Sequence, residues 1–546
     1  MLQKIKYFLL SLSVLFLAGC EDFLDVNEDK DQPSESTPNF LLTPIQGLMA
    51  INCYEQGETS AYFAQQVATL SGFSSVKDRW DYSSVTRVGL FRRHFHDVAS
   101  NAKNLIETAA EEGSKNYEGA GRVMMVLSTQ TATDLFGQMP YTEALVGNPS
   151  PPYDDQSVIY ESMLTEINLA ITLLSESEET DRYMGSDEDT MFQGDVTAWL
   201  SFAHAIKARI LLHLTPNINQ DYQPILDEIE LALDGWKDPL FQYLTGSTSP
   251  WEQNQWGPTR ARPEWDYVPN ILGESAPTPF LLESVLGYDH VQDTVYEFSQ
   301  DTIPDPRMTL MMTGDTIILV PQDTIIVTED DTELMEQDTS LMVGDTLLID
   351  PVLGVEYLTV APSEGKLTLR EEEEYPDLYD TYLTSDDSAQ PFMTLEELMF
   401  IKAEAAFQSG NLGLAFTAFQ SGIRLHMERV GVEAEDITAF LASDMVPSNA
   451  GELELSDIMM QKWLALYLQA EAWVDMRRYH YDPLIYKGLI RPQNLAAFWS
   501  DDETEWIQRL PYDNQTEEIY NKPELERLGA FQNPDWLKVP LWWTGK

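Results

Sequence analysis

Only two cysteines occur in 546 residues, Cys20 and Cys53. That is too few for a disulfide framework, so the fold has to hold by packing. Basic residues are scarce: 33 Lys and Arg stand against 90 Asp and Glu, for a formal net charge of −57. Nucleic-acid binding needs basic patches, and this chain argues against it. Polyanionic ligands are disfavoured for the same reason. Such a charge repels itself at low ionic strength and is screened at high salt. Histidine is also rare, with seven residues. His94 and His96 are two apart and would point different ways on a helix, and His204 and His213 are nine apart; neither pair suits a metal. No His-Glu-x-x-His, Gly-x-Ser-x-Gly or phosphate-binding loop is present. Nothing in the sequence calls for a cofactor or a bound metal. A glycosidase needs only two carboxylates, which 90 acidic residues cannot rule out. Long apolar runs are missing as well, and none beyond the first residues reads as a membrane span.

What the chain does have begins at its start. Lys4 and Lys6 precede a nearly apolar run from Tyr7 to Leu17, then Leu17-Ala18-Gly19-Cys20, then Glu21 and Asp22. The run is shorter than the ~20 residues a spanning helix requires, and it reads as an export signal that is cut off. Small residues before a Cys match the lipobox of bacterial lipoproteins, where cleavage falls before the Cys and acyl chains are attached to it. The expectation is a signal peptide over 1–19 and lipid on Cys20, with the mature chain tethered outside the cytoplasm. Several acyl chains on one residue anchor firmly where a single chain does not. Residues 20–38 are acidic and contain Pro33 and Pro38, a leash between lipid and body. Cys53, among Leu48, Met49, Ala50 and Ile51, reads as a small buried hydrophobe.

From about 40 to 290 the pattern is mainly helical. Residues 157–175 place Ile159, Met163, Ile167, Ala170 and Leu174 on one stripe. Residues 195–214 do the same with Trp199, Phe202, Ile206 and Ile210, with Asp195 as N-cap and Pro216 as stop. Thr394 caps a helix from Leu395, Ser409-Gly410-Asn411 forms a turn, and a return helix starts at Leu412. Ala403, Ala406, Ala415 and Ala418 let these two helices approach closely. The unit is about 34 residues long, the tetratricopeptide (TPR) length. A further helix is expected over 456–478, carrying Trp463, Leu464, Tyr467, Trp473 and Met476. Stacked pairs of this kind generate a concave surface.

Between about 290 and 350 the character changes. Asp-Thr recurs at Asp293, Asp301, Asp315, Asp323, Asp331, Asp338 and Asp345. Short β-prone runs follow, including Ile317-Ile-Leu-Val, Ile325-Ile-Val and Leu347-Leu-Ile. Turn-forming Asp beside β-branched runs predicts a small inserted β-meander. Calcium-binding repeats would need Asp and Gly at fixed offsets, and only Gly314 and Gly344 fit.

Five stretches, in order, carry a resemblance. They are Cys20-Glu-Asp-Phe-Leu-Asp-Val-Asn-Glu-Asp, Thr133-Asp-Leu-Phe-Gly-Gln-Met-Pro-Tyr-Thr-Glu-Ala-Leu145, and Asp305-Pro-Arg-Met308. Then come Gln461-Lys-Trp-Leu-Ala-Leu-Tyr with Glu471-Ala-Trp-Val-Asp-Met-Arg-Arg478, and Arg509-Leu-Pro-Tyr512 with Asn521 and Leu541-Trp-Trp543. The chain resembles the SusD/RagB outer-membrane lipoproteins of Bacteroidetes, the surface nutrient binders. The resemblance implies a mainly α fold: a TPR-like superhelix of about four helical pairs with a loop-rich second half. Residues 39–546 would form one body, interrupted by the β-rich Asp-Thr insert at about 311–360, which has no place in the family pattern. It also implies function without catalysis. The protein would sit on the outer membrane, exposed at the cell surface. It would capture oligosaccharides or polysaccharides and deliver them to a SusC-like TonB-dependent transporter. RagB-type relatives leave peptide capture open; a tethered hydrolase or a purely structural lid lies outside binding.

Candidate ligand contacts follow from sugar chemistry, since C–H faces stack on aromatic rings. Trp80 and Tyr82 stand in the polar run Lys77-Asp-Arg-Trp-Asp-Tyr82, although a Trp here can instead pack on the body. Residues 249–269 gather Trp251, Trp256, Arg260, Arg262, Trp265 and Tyr267 in a Pro-rich loop. Flat hydrophobes beside planar hydrogen-bonding groups suit a saccharide or peptide; the alternative is a loop that uses aromatics to pin itself. Trp499 and Trp506 mark a second loop. Trp463, Trp473, Trp542 and Trp543 lie in the matched stretches and are expected to pack. Asp134, Asp475 and Arg477 are expected to form ion pairs.

Overall fold

The computed structural model describes residues 37–69, 77–85, 88–216, 221–243, 253–258, 271–286, 305–312, 315–319, 352–356, 362 and 377–545. Cys20, the signal, most of the leash and much of the Asp-Thr insert lie outside the described residues. The body is mainly helical. Its principal helices are α1 Pro38–Phe63, α2 Ser100–Glu112, α3 Lys115–Phe136, α4 Gln156–Ser175, α5 Val196–His213, α6 Gln223–Leu233, α7 Leu395–Gln408, α8 Leu412–Val430, α9 Leu455–Ala465 and α10 Glu471–Arg478. Each helix from α3 to α8 packs on its predecessor, α6 meeting α7 across the loop-rich middle of the chain. The stack is thus continuous in space though not in sequence, as a helical-repeat body requires.

Local signals place these helices well. The Asp195 carboxylate accepts from the N–H groups of Thr197 and Ala198 at the start of α5. Thr394 caps α7 through Glu397 N, and Asn411 caps α8 through Leu414 N, each satisfying an orphan donor. The four alanines between α7 and α8 are buried, as are the stripes of α4 and α5. By length and composition α4 could cross a membrane, contrary to the sequence reading. Its apolar stripe nevertheless packs on α3 and α5.

One expected helix is two. The run 456–478 breaks between Ala465 and Glu471, with Leu468 at φ 58°. The cause is the turn that follows α1. Gln66 donates to Leu466 O at 3.1 Å and accepts from Leu468 N at 2.8 Å, while Trp463 Nε1 donates to Ala64 O at 3.0 Å. These bonds replace those a continuous helix would have made. Of the insert, Asp315–Leu319 pairs antiparallel with Val352–Glu356, Leu319 opposite Val352. The strand at Ile317 therefore forms, and the other expected strands lie outside the described residues.

The matched sequence stretches turn out to be fastenings between distant parts of the chain. Leu510 N donates to Leu135 O at 2.8 Å, and Tyr512 OH donates to Gln138 O at 2.6 Å. A Cβ on Gly137 (φ 86°) would come within 2.8 Å of Arg509 Nη1. Arg307 is held by Asp305 and donates to Gln461 Oε1 at 2.7 Å. Trp542 N donates to Gln156 Oε1 at 3.0 Å.

Candidate functional site

The structure sorts the expected contact residues into three groups. Trp80 and Trp256 are part of the core. Trp80 is 0% exposed, with its ring centroid 5.1 Å from that of Trp499 and 5.6 Å from that of Trp506. Trp499 Nε1 donates to Trp80 O, and Arg79 Nε donates to Asn494 O. The aromatic loop at 490–507 thus closes over Trp80, and Trp499 and Trp506 are themselves buried. Trp256 is 2% exposed and meets Tyr54 edge to face at 4.7 Å. Its loop is pinned by Asn254, which donates to Leu383 O and Ser385 O. The expectation that these two rings form a stacking platform is therefore corrected: in this conformation neither offers a face, because apolar burial has claimed both. Trp251, Arg260, Arg262, Trp265 and Tyr267 lie outside the described residues. Tyr82 is the third case, half-buried. Burial and the neighbouring Glu518 carboxylate, which its phenol approaches, push its pKa up to about 12.

The Glu518 neighbour reveals a surface that the sequence reading missed. The segment 513–520 folds over Asp513, which accepts from Gln515 N at 2.6 Å and Thr516 Oγ1 at 2.8 Å. A single helical turn, Glu517–Tyr520, follows, and none of its side chains is buried. Glu517 accepts from Tyr153 OH and from Asn521 Nδ2, and Gln532 donates to Glu518 at 3.1 Å. Ser150 donates to Tyr520 O at 2.8 Å. On this braced turn Ile519 is 64% and Tyr520 63% exposed. The sequence signal was faint: an apolar pair directly after the polar run Asn514-Gln-Thr-Glu-Glu.

A second cluster lies inside the helical stack. His213 Nε2 is 2.6 Å from Glu471 and its Nδ1 is 3.3 Å from Asp134. Arg209 lies 2.9 Å from Glu397. Lys462 bridges Glu404 and Asp475, and Arg478 contacts the same two carboxylates. Burial lowers the His213 pKa, but Glu471 and Asp134 outweigh it and hold it up to about 9. Burial drives Glu397 up to about 7 despite Arg209. Glu404 is held down at about 2, against burial, by Arg478 and Lys462. Asp134 and Asp475 thus form the expected ion pairs, whereas Arg477 does not. It donates to the carbonyls of Asp134 and Gln508 and stacks 3.7 Å above Trp473. Burial pulls it down to about 10, outweighing the more distant Asp134 and Glu471 charges.

The cavity beside this cluster measures about 40 Å³ and is lined by Cys53, Gln56, Thr131, Arg209, Gln390 and Glu471, among others. Ligand pockets run to roughly 300–1,000 Å³, so this one has room for ordered water and not for a sugar ring. Cys53 is half-buried rather than fully buried, and burial pushes its thiol up to about 12. Among the described residues, no group of His, Cys, Asp and Glu is placed to hold a metal ion.

The chain belongs to the SusD-like family described as starch-binding and associating with the outer membrane, whose model matches residues 30–266 and 363–512. The unmatched interval contains the Asp-Thr insert. Solved structures of similar fold include a SusD homologue from Bacteroides uniformis, with 16% identity, 93% of this chain and 99% of the other covered, and a TM-score of 0.65. A chitin-binding SusD homologue from Flavobacterium johnsoniae has 16% identity, 93% and 98% coverage and a TM-score of 0.66. A SusD/RagB family protein from Bacteroides thetaiotaomicron has 18% identity, 94% and 99% coverage and a TM-score of 0.61. Among curated proteins, none matches the sequence.

Proposed function

We propose that this protein is a surface lipoprotein that captures oligosaccharides and hands them to a SusC-like TonB-dependent transporter. The observation that carries the reading is membership of a family described by starch binding at the outer membrane. The chitin-binding relative of the same fold supports a glycan as ligand. The lipobox at Cys20 supplies the anchor, 1–19 the signal and 20–38 the leash. A charge of −57 favours neutral over anionic glycans. With Trp80 and Trp256 packed into the core, Trp251, Trp265, Tyr267 and the half-buried Tyr82 remain as proposed contacts, with Arg260 and Arg262 as donors.

The test is titration with neutral polysaccharides, anionic polysaccharides and peptide mixtures, followed by tryptophan fluorescence. Saturation by one neutral glycan class supports the reading. Response to peptides alone replaces it with RagB-like peptide capture. Trp251→Ala and Trp265→Ala should weaken glycan binding while leaving the thermal midpoint in place. Co-purification of the lipidated protein with a TonB-dependent barrel tests the partner.

A further inference from the structure

We infer that Ile519 and Tyr520 form a further saccharide-contacting platform, continuous with Tyr82 through the Glu518 carboxylate. The inference rests on the glycan-binding reading and places a contact beyond the residues 30–266 and 363–512 that the family model matches. Three observations support it. First, the turn Glu517–Tyr520 is held by Asp513, which accepts from Thr516, and by Tyr153 and Asn521, which donate to Glu517. Its outward side chains nevertheless contribute nothing to the core. A rigid turn that presents an aromatic ring to water is preorganised for binding, because little conformational freedom remains to be lost. Second, the surroundings are hydroxyl-compatible. Glu518 accepts from Gln532 on the same turn, Asn514 and Gln515 stand exposed just before it, and Tyr82 brings a second aromatic to the Glu518 carboxylate. A flat hydrophobe flanked by a few polar groups is how sugar rings are held.

Third, the alternatives fit poorly. Two exposed apolar side chains fall far short of the ~1,000 Å² that a stable protein interface buries. The carboxylates of Glu517 and Glu518 repel an anionic ligand. A neutral pyranose ring over the Tyr520 face is the occupant that matches both size and charge.

The experiment measures the affinity of the purified protein and its Tyr520→Ala, Tyr520→Phe and Ile519→Ser variants for soluble starch and for chito-oligosaccharides by calorimetry. Circular dichroism melts run alongside, and the exposure of both residues predicts unchanged melts. A stacked aromatic contributes about 0.5–1.5 kcal/mol, so Tyr520→Ala should weaken binding about two- to twelvefold. Tyr520→Phe should stay near the parent, since it keeps the ring. Should the parent bind a neutral glycan and Tyr520→Ala bind it equally well, the platform is overturned while the glycan reading stands. A parent protein that binds neither glycan, or only peptides, overturns both. An equal loss in Tyr520→Ala and Tyr520→Phe would make the hydroxyl the contact and overturn stacking.

Discussion

At the scale of single residues, burial separates structural aromatics from available ones. Trp80 carries the sequence signature of a ligand platform, but its ring packs against Trp499 and Trp506. Trp80→Ala should therefore cost about 3–5 kcal/mol of stability. It should lower the denaturant midpoint while leaving the affinity of the folded fraction unchanged, and an affinity loss at full stability would contradict this. His213 gives a pH signature. Its pKa is raised from the ordinary 6.5 to about 9 by Glu471 and Asp134. The stability it contributes is full below about pH 6.5 and is lost as pH rises through 9. Chemical denaturation at pH 6.5 and at pH 9.5 should show a lower midpoint at the higher pH. His213→Gln should be less stable overall and lose much of that slope.

At the scale of elements, the break between α9 and α10 is imposed from outside the segment. Gln66 supplies both a donor and an acceptor to Leu466 and Leu468. Gln66→Ala would leave Leu468 N unpaired, while Leu466 O still accepts from Gln469 N; the expected cost is about 1–3 kcal/mol, measurable by urea titration. Gly57 makes the same junction possible: a Cβ there would lie 2.2 Å from Leu468 O. The insert behaves oppositely. Its flanking strands pair with Leu319 opposite Val352, so a two-residue Asn-Gly turn can join them. Excision of 320–351 with that turn should leave the helical circular dichroism and thermal midpoint of the body intact. Collapse of the helical signal would show that the insert is part of the core.

At the scale of the whole molecule, charge is organised unevenly. The buried cluster sets its carboxylates, Asp134, Glu397, Glu404, Glu471 and Asp475, against Arg209, His213, Lys462 and Arg478. Nearly all of the formal excess of −57 therefore falls on the rest of the chain. Repulsion across the surface is screened within about 10 Å at 0.1 M salt. The thermal midpoint should accordingly rise as sodium chloride is raised from 10 mM to 500 mM. A flat response would mean that surface charge adds little to the free energy of folding.

The sequence by itself determined what depends on neighbours along the chain. The caps Asp195, Thr394 and Asn411, the stripes of α4 and α5, and the alanine seam between α7 and α8 were legible because capping and helical periodicity are local. The family was legible too, because its stretches are fastenings whose chemistry requires particular residues, such as Gly137 against Arg509 and Arg307 against Gln461. Tertiary structure alone decided which aromatics remain available, where the 456–478 helix breaks, and that Arg477 stacks on Trp473 instead of pairing with a carboxylate. Each of these turns on a partner hundreds of residues away: Trp499 for Trp80, Gln66 for Leu468, Asp134 O for Arg477. Exposure is a property of the packed chain. Trp80 and Tyr520 could exchange roles without a change in local pattern, and only the loop that closes over the one and the braced turn that presents the other tell them apart.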